Sequence, residues 1–342
     1  MKILLASFYR FISFPAITVL MVANVAFGQK ETEYTKLIGE ACQLYQNKEY
    51  LKSGKKYAEA FARNGNKGLL DDRYNAACSW ALANETDSAF VNLFLIANKG
   101  NFADDDQLIN DNDLKPLHHD SRWEEIISIT KSNKEKKEAN YDKNLVAILD
   151  TIFKDDQKYR DQLDAIAEKY GWESKEADSM ANNELFKEKL RKTDSVNTVR
   201  ITSIIDHYGW LGADVVGEYG NSTFFAVIQH SDLKTQEKYL PIMREAVKNG
   251  KARADHLALL EDRVALKQGR KQIYGSQLGM DPNTKITYVC PLEDPDNVDI
   301  RRAKVGLPPM QEYLDPAGIK WDVEQYKKEL PAIEALEKKK NK

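Results

Sequence analysis

The residue best suited to acid–base work in this chain is a histidine set at the end of an apolar run. Phe224-Phe225-Ala226-Val227-Ile228 gives way abruptly to Gln229-His230-Ser231-Asp232. Polar groups beside strongly apolar neighbours must find partners or cost several kcal/mol in desolvation. Phe224, Val227 and Ile228 shield the imidazole, and the Asp232 carboxylate two residues on could orient it, so the pair has the parts of a general base and its positioning acid. Asp232 is equally placed to cap a helix that begins before Thr235-Gln236. A core histidine satisfied by hydrogen bonds accounts for His230 with no reaction at all.

Arg263 is the next candidate. On a helical wheel it falls between Leu259 and Leu266 on one side and Leu260 and Val264 on the other. Its guanidinium therefore points inward and needs an acidic or carbonyl partner, as a structural ion pair or as the anchor of a ligand. Asp262 lies about 100° around the wheel, so the two reach different neighbours. Downstream, Gln272-Ile273-Tyr274-Gly275-Ser276-Gln277 reads as a strand on which Gln272 and Tyr274 share a face. Arg301 and Arg302, after Asp296 and Asp299, add positive charge if their segment folds back. The expected site is thus His230 and Asp232 as catalytic groups, with Gln229, Asp262, Arg263, Gln272, Tyr274, Gln277, Arg301 and Arg302 as ligand-binding ones. Gly-x-Ser-x-Gly, His-Glu-x-x-His and phosphate-loop patterns are absent from the chain. His118-His119 beside Asp120 lacks further ligands at metal-binding spacing, and the same holds for Cys42, Cys78 and Cys290. No metal and no cofactor is expected.

The elements that must position these groups are mainly helical. Gly39-Glu40-Ala41-Cys42 aligns with Asn75-Ala76-Ala77-Cys78 at an offset of 36, and Tyr50, Ser53 and Tyr57 fall on Thr86, Ala89 and Leu93. That period resembles tetratricopeptide repeats and predicts helices near 32–46, 49–63, 70–83 and 86–99. Equivalent places on stacked helices lie roughly 8–10 Å apart, too far for a Cys42–Cys78 disulfide, so packing explains the cysteines better. Asp113 is expected to cap a short turn before a closing helix from Trp123, which ends the repeat region at about 130. The charge-dense stretch 131–142 reads as a solvated helix face or linker and carries the domain boundary. Leu145, Ile148, Leu149, Ile152 and Phe153 then open a long amphipathic helix. Asp194 is expected to cap a further helix, 212–249 reads as three short helices, and 255–268 as another. A hairpin is predicted between 272–277 and 285–289, a short helix over 294–303, and a charged terminal helix over 322–339.

The chain has 342 residues, comfortable for two domains, with 30% charged and 42% hydrophobic residues. Net charge is −3 with both signs mixed along the chain, which leaves no nucleic-acid footprint. Residues 1–28 read as a secretory signal: Lys2 and Arg10 precede an apolar run from Phe11 to Phe27, and Ala26 and Gly28 suit cleavage before Gln29. An uncleaved anchor is the alternative, opposed by Pro15 and Asn24. A periplasmic or secreted protein with no stable anchor after cleavage is expected. Three cysteines imply no disulfide framework.

Several phrases occur in order over residues 143–320: Trp210-Leu211-Gly212, Gln229-His230-Ser231-Asp232, Tyr239-Leu240-Pro241, Leu260-Glu261-Asp262-Arg263, Gln272 to Gln277, and Val298-Asp299-Ile300-Arg301-Arg302 before Gly306-Leu307-Pro308. Together they resemble the bacterial domain-of-unknown-function family numbered 6624. That resemblance implies no mechanism. The layout of signal, repeats and domain also resembles proteins of the Bacteroidetes group. Two functions follow as expectations. One is a binding or scaffold protein, its repeats holding a protein or peptide and its second domain a small polar or anionic ligand. The other is a hydrolase-like enzyme using His230 as base. The missing nucleophile or metal signature favours the first.

Overall fold

A computed structural model of the protein describes residues 33–171, 174–281, 284 and 286–340; the export segment expected at 1–28 lies outside them. The chain is mainly helical and divides between Asn140 and Tyr141 into two compact units.

In the first unit, α1 (Glu33–Gln46), α2 (Tyr50–Arg63), α3 (Leu70–Leu82) and α4 (Thr86–Asn98) form two helical hairpins, the arrangement the 36-residue offset implies. The backbone repeats with the sequence. Lys48 and Asn84, 36 apart, both take positive φ (61° and 60°) at the turn inside each hairpin. Equivalent small residues sit at the helix contacts: Ala41 and Ala77 are fully buried, as are Ser53 and Ala89. All three cysteines are free thiols and buried; the Cys42 Sγ lies 3.1 Å from the Tyr57 hydroxyl. Gly54 lets α2 come down onto the Trp80 indole, where an added Cβ would sit 2.5 Å from the ring.

Beyond α4 come α5 (Asp105–Asn110), a 3-10 turn (Asn112–Leu117) and α6 (Arg122–Lys137). The turn is capped by Asp111, which accepts the Asp113 N–H at 2.9 Å, not by Asp113 itself. Asp113 instead accepts the Tyr45 hydroxyl. The His118 ring stacks on Trp123, with centroids 4.3 Å apart. Because α6 continues to Lys137, most of the charge-dense stretch 131–142 is helix.

The second unit is a helical domain with a small appended sheet. Its helices are α7 (Lys143–Tyr170), α8 (Lys175–Asn182), α9 (Glu184–Tyr208), α10 (Ala213–His230), α11 (Leu233–Lys248) and α12 (Ala254–Lys267). Leu149 and Ile152 of α7, Ile201 and Ile205 of α9, Phe224, Phe225, Val227 and Ile228 of α10, Met243 of α11 and Leu260 of α12 share one core. Every residue of α10 from Thr223 to Gln229 is buried, the pattern of a helix covered on all sides. Residues 212–249 hold three helical segments, as expected: α10 is two helices joined at Gly217 (φ 72°, ψ 168°), a conformation reserved for glycine, with the Tyr141 ring packed against the joint.

A second correction concerns Asp194. The helix expected to start there runs through it, because Asn183 caps α9 eleven residues earlier by accepting the Phe186 N–H at 3.0 Å. A third concerns the hairpin. Its strands, β1 (Leu278–Met280) and β2 (Thr287–Val289), are antiparallel with Gly279 opposite Tyr288, so the first begins only after Gln277. Gln272–Gln277 is a loop. These strands, α13 (Val298–Lys304), α14 (Met310–Leu314) and α15 (Val323–Lys340) enclose a separate core around Leu292, Val298, Met310 and Leu314. Among the described residues no helix is long and apolar enough to cross a membrane.

The tight Gly54 contact makes the helical hairpins sensitive to a single methyl group. Gly54→Ala is expected to destabilise the first unit by about 1–3 kcal/mol through overpacking against Trp80, read as a lower urea midpoint. An unchanged midpoint would mean that the indole moves aside freely.

Candidate functional site

The polar residues of the second unit sort into two groups with different tasks. The first builds a loop. Asp262 on α12 is fully buried and accepts the backbone N–H groups of Ile273 (2.6 Å), Tyr274 (3.0 Å) and Ser276 (2.9 Å). This is why 272–277 is no strand: the N–H groups a ladder would use point at a carboxylate. Two carbonyls of the same loop are held by cations. Arg301 Nε donates to the Ile273 carbonyl at 2.8 Å, and Arg302 Nη1 to that of Tyr274 at 2.7 Å.

Gln272 ties the loop ends together, donating to the Gln277 and Cys290 carbonyls and accepting the Gln277 N–H at 2.7 Å. The Tyr313 hydroxyl donates to the Ser276 carbonyl at 2.7 Å, and its ring lies 4.7 Å from the Arg302 guanidinium. Burial raises the Asp262 pKa, while the loop N–H groups oppose the rise. Asp262, Gln272, Arg301 and Arg302, expected as ligand-binding groups, are therefore engaged in shaping the loop. The half-buried Tyr274 phenol stands among the charges of Glu261, Asp262 and Arg301.

The second group surrounds His230. Its Nδ1 lies 3.0 Å from Asp156 Oδ1, so the carboxylate that orients it comes from α7. Asp232, expected in that role, is exposed and caps α11 by accepting the Thr235 N–H at 2.8 Å. A helix-cap geometry turns its side chain along its own helix, away from a ring two residues back. Asp156 also receives Gln157 Nε2 at 2.8 Å and lies 3.5 Å from Arg160 Nη1, while Arg160 Nη2 donates to Asp194 Oδ1 at 2.7 Å. The side chains of Asp156, Arg160 and His230 are 1%, 2% and 5% exposed, and that of Asp194 is 19% exposed. Solvent reaches this network at Asp194.

Arg263 borders the same cluster. Its Nη1 donates to the Gln229 carbonyl at 3.1 Å and its Nε to Gln277 Oε1 at 3.3 Å. One turn on, Lys267 Nζ donates to Gln236 Oε1 at 3.1 Å. The loop built by Asp262 thus delivers Gln277 to Arg263, and α10 delivers Gln229 and His230 from the other side.

The electrostatics of this interior set are unusual. Burial pushes the Asp156 carboxyl up to about 7, with Arg160 opposing and Asp194 adding to the rise. Burial likewise raises Asp194 against the pull of Arg160. His230 is driven well below the usual imidazole range by burial and then by the charges of Arg263 and Lys267. Arg263 is lowered to about 10 by burial and by Arg160, and Lys267 to about 8 by burial and by Arg263. Burial raises Asp156 and lowers His230, which weakens any ion-pair character of their contact and leaves it as a hydrogen bond.

Asp156, Asp194 and His230 bring ligand atoms within 4.8 Å of one another, a donor set that a divalent cation accepts. Arg160 bridges the two aspartates and supplies that positive charge from the protein itself.

Sequence reading missed Asp156, Arg160, Asp194 and Lys267. A signal for the first two exists: Asp156 and Arg160 sit one turn apart within the apolar stripe Leu149–Ile152–Leu163 of α7.

With this geometry in view, residues 139–320 match a family of unknown function, DUF6624, and the chain belongs to that family. No curated protein and no solved structure matches it.

Two outcomes follow. Asp262→Ala strands three buried loop N–H groups and is expected to cost about 3–5 kcal/mol of stability; a loss under about 1 kcal/mol in urea unfolding would show that the loop holds its shape without the carboxylate. Asp156 tests the charge balance. Its folded-state pKa lies above the unfolded value, so the folded form keeps a proton the unfolded chain releases between pH about 4 and about 7, and stability from this group is lost as pH rises through that window. Asp156→Asn does not titrate. Its stability relative to the wild type should therefore improve by on the order of a few kcal/mol from pH 4 to pH 8. His230 has the opposite sign but is present in both proteins. Parallel pH–stability curves would contradict the raised pKa.

Proposed function

We propose that the family domain binds a small ligand through an anionic group seated among Arg160, Arg263 and Lys267. The observation that carries this reading is the crowding of cations: Arg160 lowers the proton affinity of Arg263, Arg263 lowers that of Lys267, and both Arg263 and Lys267 depress His230. Asp156 and Asp194 offset Arg160, and an anion beside Lys267 would ease the repulsion that remains. Among the described residues Lys267 has no carboxylate within ion-pair distance; its hydrogen bonds go to the neutral oxygens of Gln236 and Ser231. In this reading the protein is exported, and the helical hairpins of the first unit hold a protein or peptide partner. The His230–Asp156 hydrogen bond favours a second reading, in which that pair moves a proton on the bound ligand.

The test is anion binding to the full-length protein, by thermal shift and calorimetry with acetate, sulfate and inorganic phosphate. Binding is expected in the wild type. It should weaken at least about tenfold in Arg263→Gln, the loss of one charge-assisted hydrogen bond, and recover in part in Arg263→Lys. If no anion binds, or if Arg263→Gln binds each as well as the wild type, the site is structural.

A further inference from the structure

Cys78 on α3 is 4% exposed, and its thiol points at the carboxylates of Asp111 and Asp113 on the turn after α5. One ligand atom from each of the three lies within 4.8 Å of the others. The sequence conceals the set, since Cys78 and Asp111 stand 33 residues apart. Cys42 supplies a contrast within the same unit. It holds the equivalent place one repeat earlier, and its Sγ pairs with the Tyr57 hydroxyl at 3.1 Å. Leu93 stands at the place that matches Tyr57, so the Cys78 thiol has no such hydroxyl and turns to the two acids instead.

The spacing matches shared coordination of one ion. Cys78 Sγ and Asp111 Oδ2 are 3.7 Å apart, and two ligands about 2.0–2.3 Å from a tetrahedral zinc stand about 3.6 Å from each other. The carboxylates are also held from behind. The Tyr74 hydroxyl donates to Asp111 Oδ2 at 2.7 Å, the Tyr45 hydroxyl donates to Asp113 Oδ2, and the Asp113 N–H donates to Asp111 Oδ1 at 2.9 Å. Donors placed this way orient the carboxylates of metal sites. Asp113 Oδ1 is left without a hydrogen bond among the described residues.

The charge around the cluster is one-sided. Burial, then Asp111 and Asp113, push the Cys78 thiol well above its ordinary range, and burial raises Asp113 against the Tyr45 hydrogen bond, with Asp111 adding to the rise. Among the described residues neither carboxylate has a Lys, Arg or His within ion-pair distance. Asp156, Asp194 and His230 gather a similar donor set, but there Arg160 stands between the acids. Here a divalent cation would supply the missing charge. A thiolate with carboxylate oxygens suits Zn²⁺, whereas Ca²⁺ and Mg²⁺ take oxygen ligands.

We propose that Cys78, Asp111 and Asp113 bind a zinc ion, with water as the fourth ligand on the side where both carboxylates are half-buried. Binding forms one Zn–S and two Zn–O bonds and releases the thiol proton to solvent, with no change of oxidation state. The ion ties α3 to the 3-10 turn that follows the helical hairpins.

The experiment titrates the full-length, tag-free protein, reduced and treated with chelator, with zinc chloride by calorimetry and with cobalt chloride by absorption. Zn²⁺ is expected to bind, and Co²⁺ to give a near-ultraviolet charge-transfer band from a thiolate ligand. Cys78→Ser and Asp113→Asn should each weaken Zn²⁺ by more than the roughly tenfold that losing a supporting contact costs. Cys78→Ser should also abolish the band. Asp113 is half-buried, so its variant reads the same loss if Cys78→Ser perturbs folding. Cys42→Ser should change neither readout.

Failure of zinc to bind the wild type would overturn the proposal, as would zinc affinity that persists in both variants. A cobalt complex without the thiolate band, or calcium chloride binding as tightly as zinc chloride, would do the same. A band lost in Cys42→Ser and kept in Cys78→Ser would overturn it by placing the ion one repeat earlier. The anion titrations are decided separately, because the two clusters share no residue.

Discussion

The second unit depends on a single buried carboxylate that organises backbone rather than side chains. Asp262 gathers the N–H groups of Ile273, Tyr274 and Ser276, and the carbonyls of Ile273 and Tyr274 in the same loop go to Arg301 and Arg302. An irregular loop in a protein interior is hard to stabilise because each peptide brings a donor and an acceptor that no ladder satisfies. Here opposite charges flank the loop and satisfy both sides. A fully buried Arg302, with no carboxylate in ion-pair distance among the described residues, is tolerated because it donates to the Tyr274 and Pro308 carbonyls and lies over the Tyr313 ring. Through Gln277 and the Ser276–Tyr313 contact, the same loop joins the helical core to the smaller core around Met310 and Leu314.

The cluster beside this loop has a different character. Where Asp262 meets neutral N–H groups, Asp156 and Asp194 meet Arg160, and Arg263 and Lys267 border them. Networks of buried charge add little net stability over apolar packing, since desolvation offsets their attraction. A set that leaves Asp156 near 7 and Arg263 near 10 is poorly relaxed for a structural role. Strongly perturbed groups concentrated in one place are what the proposed binding reading starts from, and the cluster meets solvent at Asp194.

Much of the architecture was legible in the sequence because it rests on periodicity. The four helices of the first unit follow the 36-residue offset almost to the residue, and the inward placement of Arg263 followed from its leucine neighbours. The site was half legible. His230 and Arg263 stood out as polar residues within apolar runs, but their partners are far along the chain: Asp156 lies 74 residues from His230, and a local carboxylate, Asp232, offered itself instead. Asp194 was hidden for the opposite reason, since an aspartate in a charged stretch looks like a helix cap. The strand misread at Gln272–Gln277 shows the same limit. Alternating polar and apolar residues suggest a ladder, and only a distant carboxylate on α12 diverts their N–H groups.

The burial of α10 from Thr223 to Gln229 fixes more than its position. A helix covered on every side has no face on which an error in register can be absorbed. Insertion of one residue between Gly217 and Gln229 would turn everything after it by about 100° and advance it by about 1.5 Å. The imidazole would leave Asp156, and the Gln229 carbonyl would leave Arg263. Ahead of Gly217 the same insertion meets a backbone already out of helical conformation, where the change can be taken up by the joint. Length is therefore a stricter constraint than composition in this segment, and the distance from Gly217 to His230 is the dimension to which the site is built.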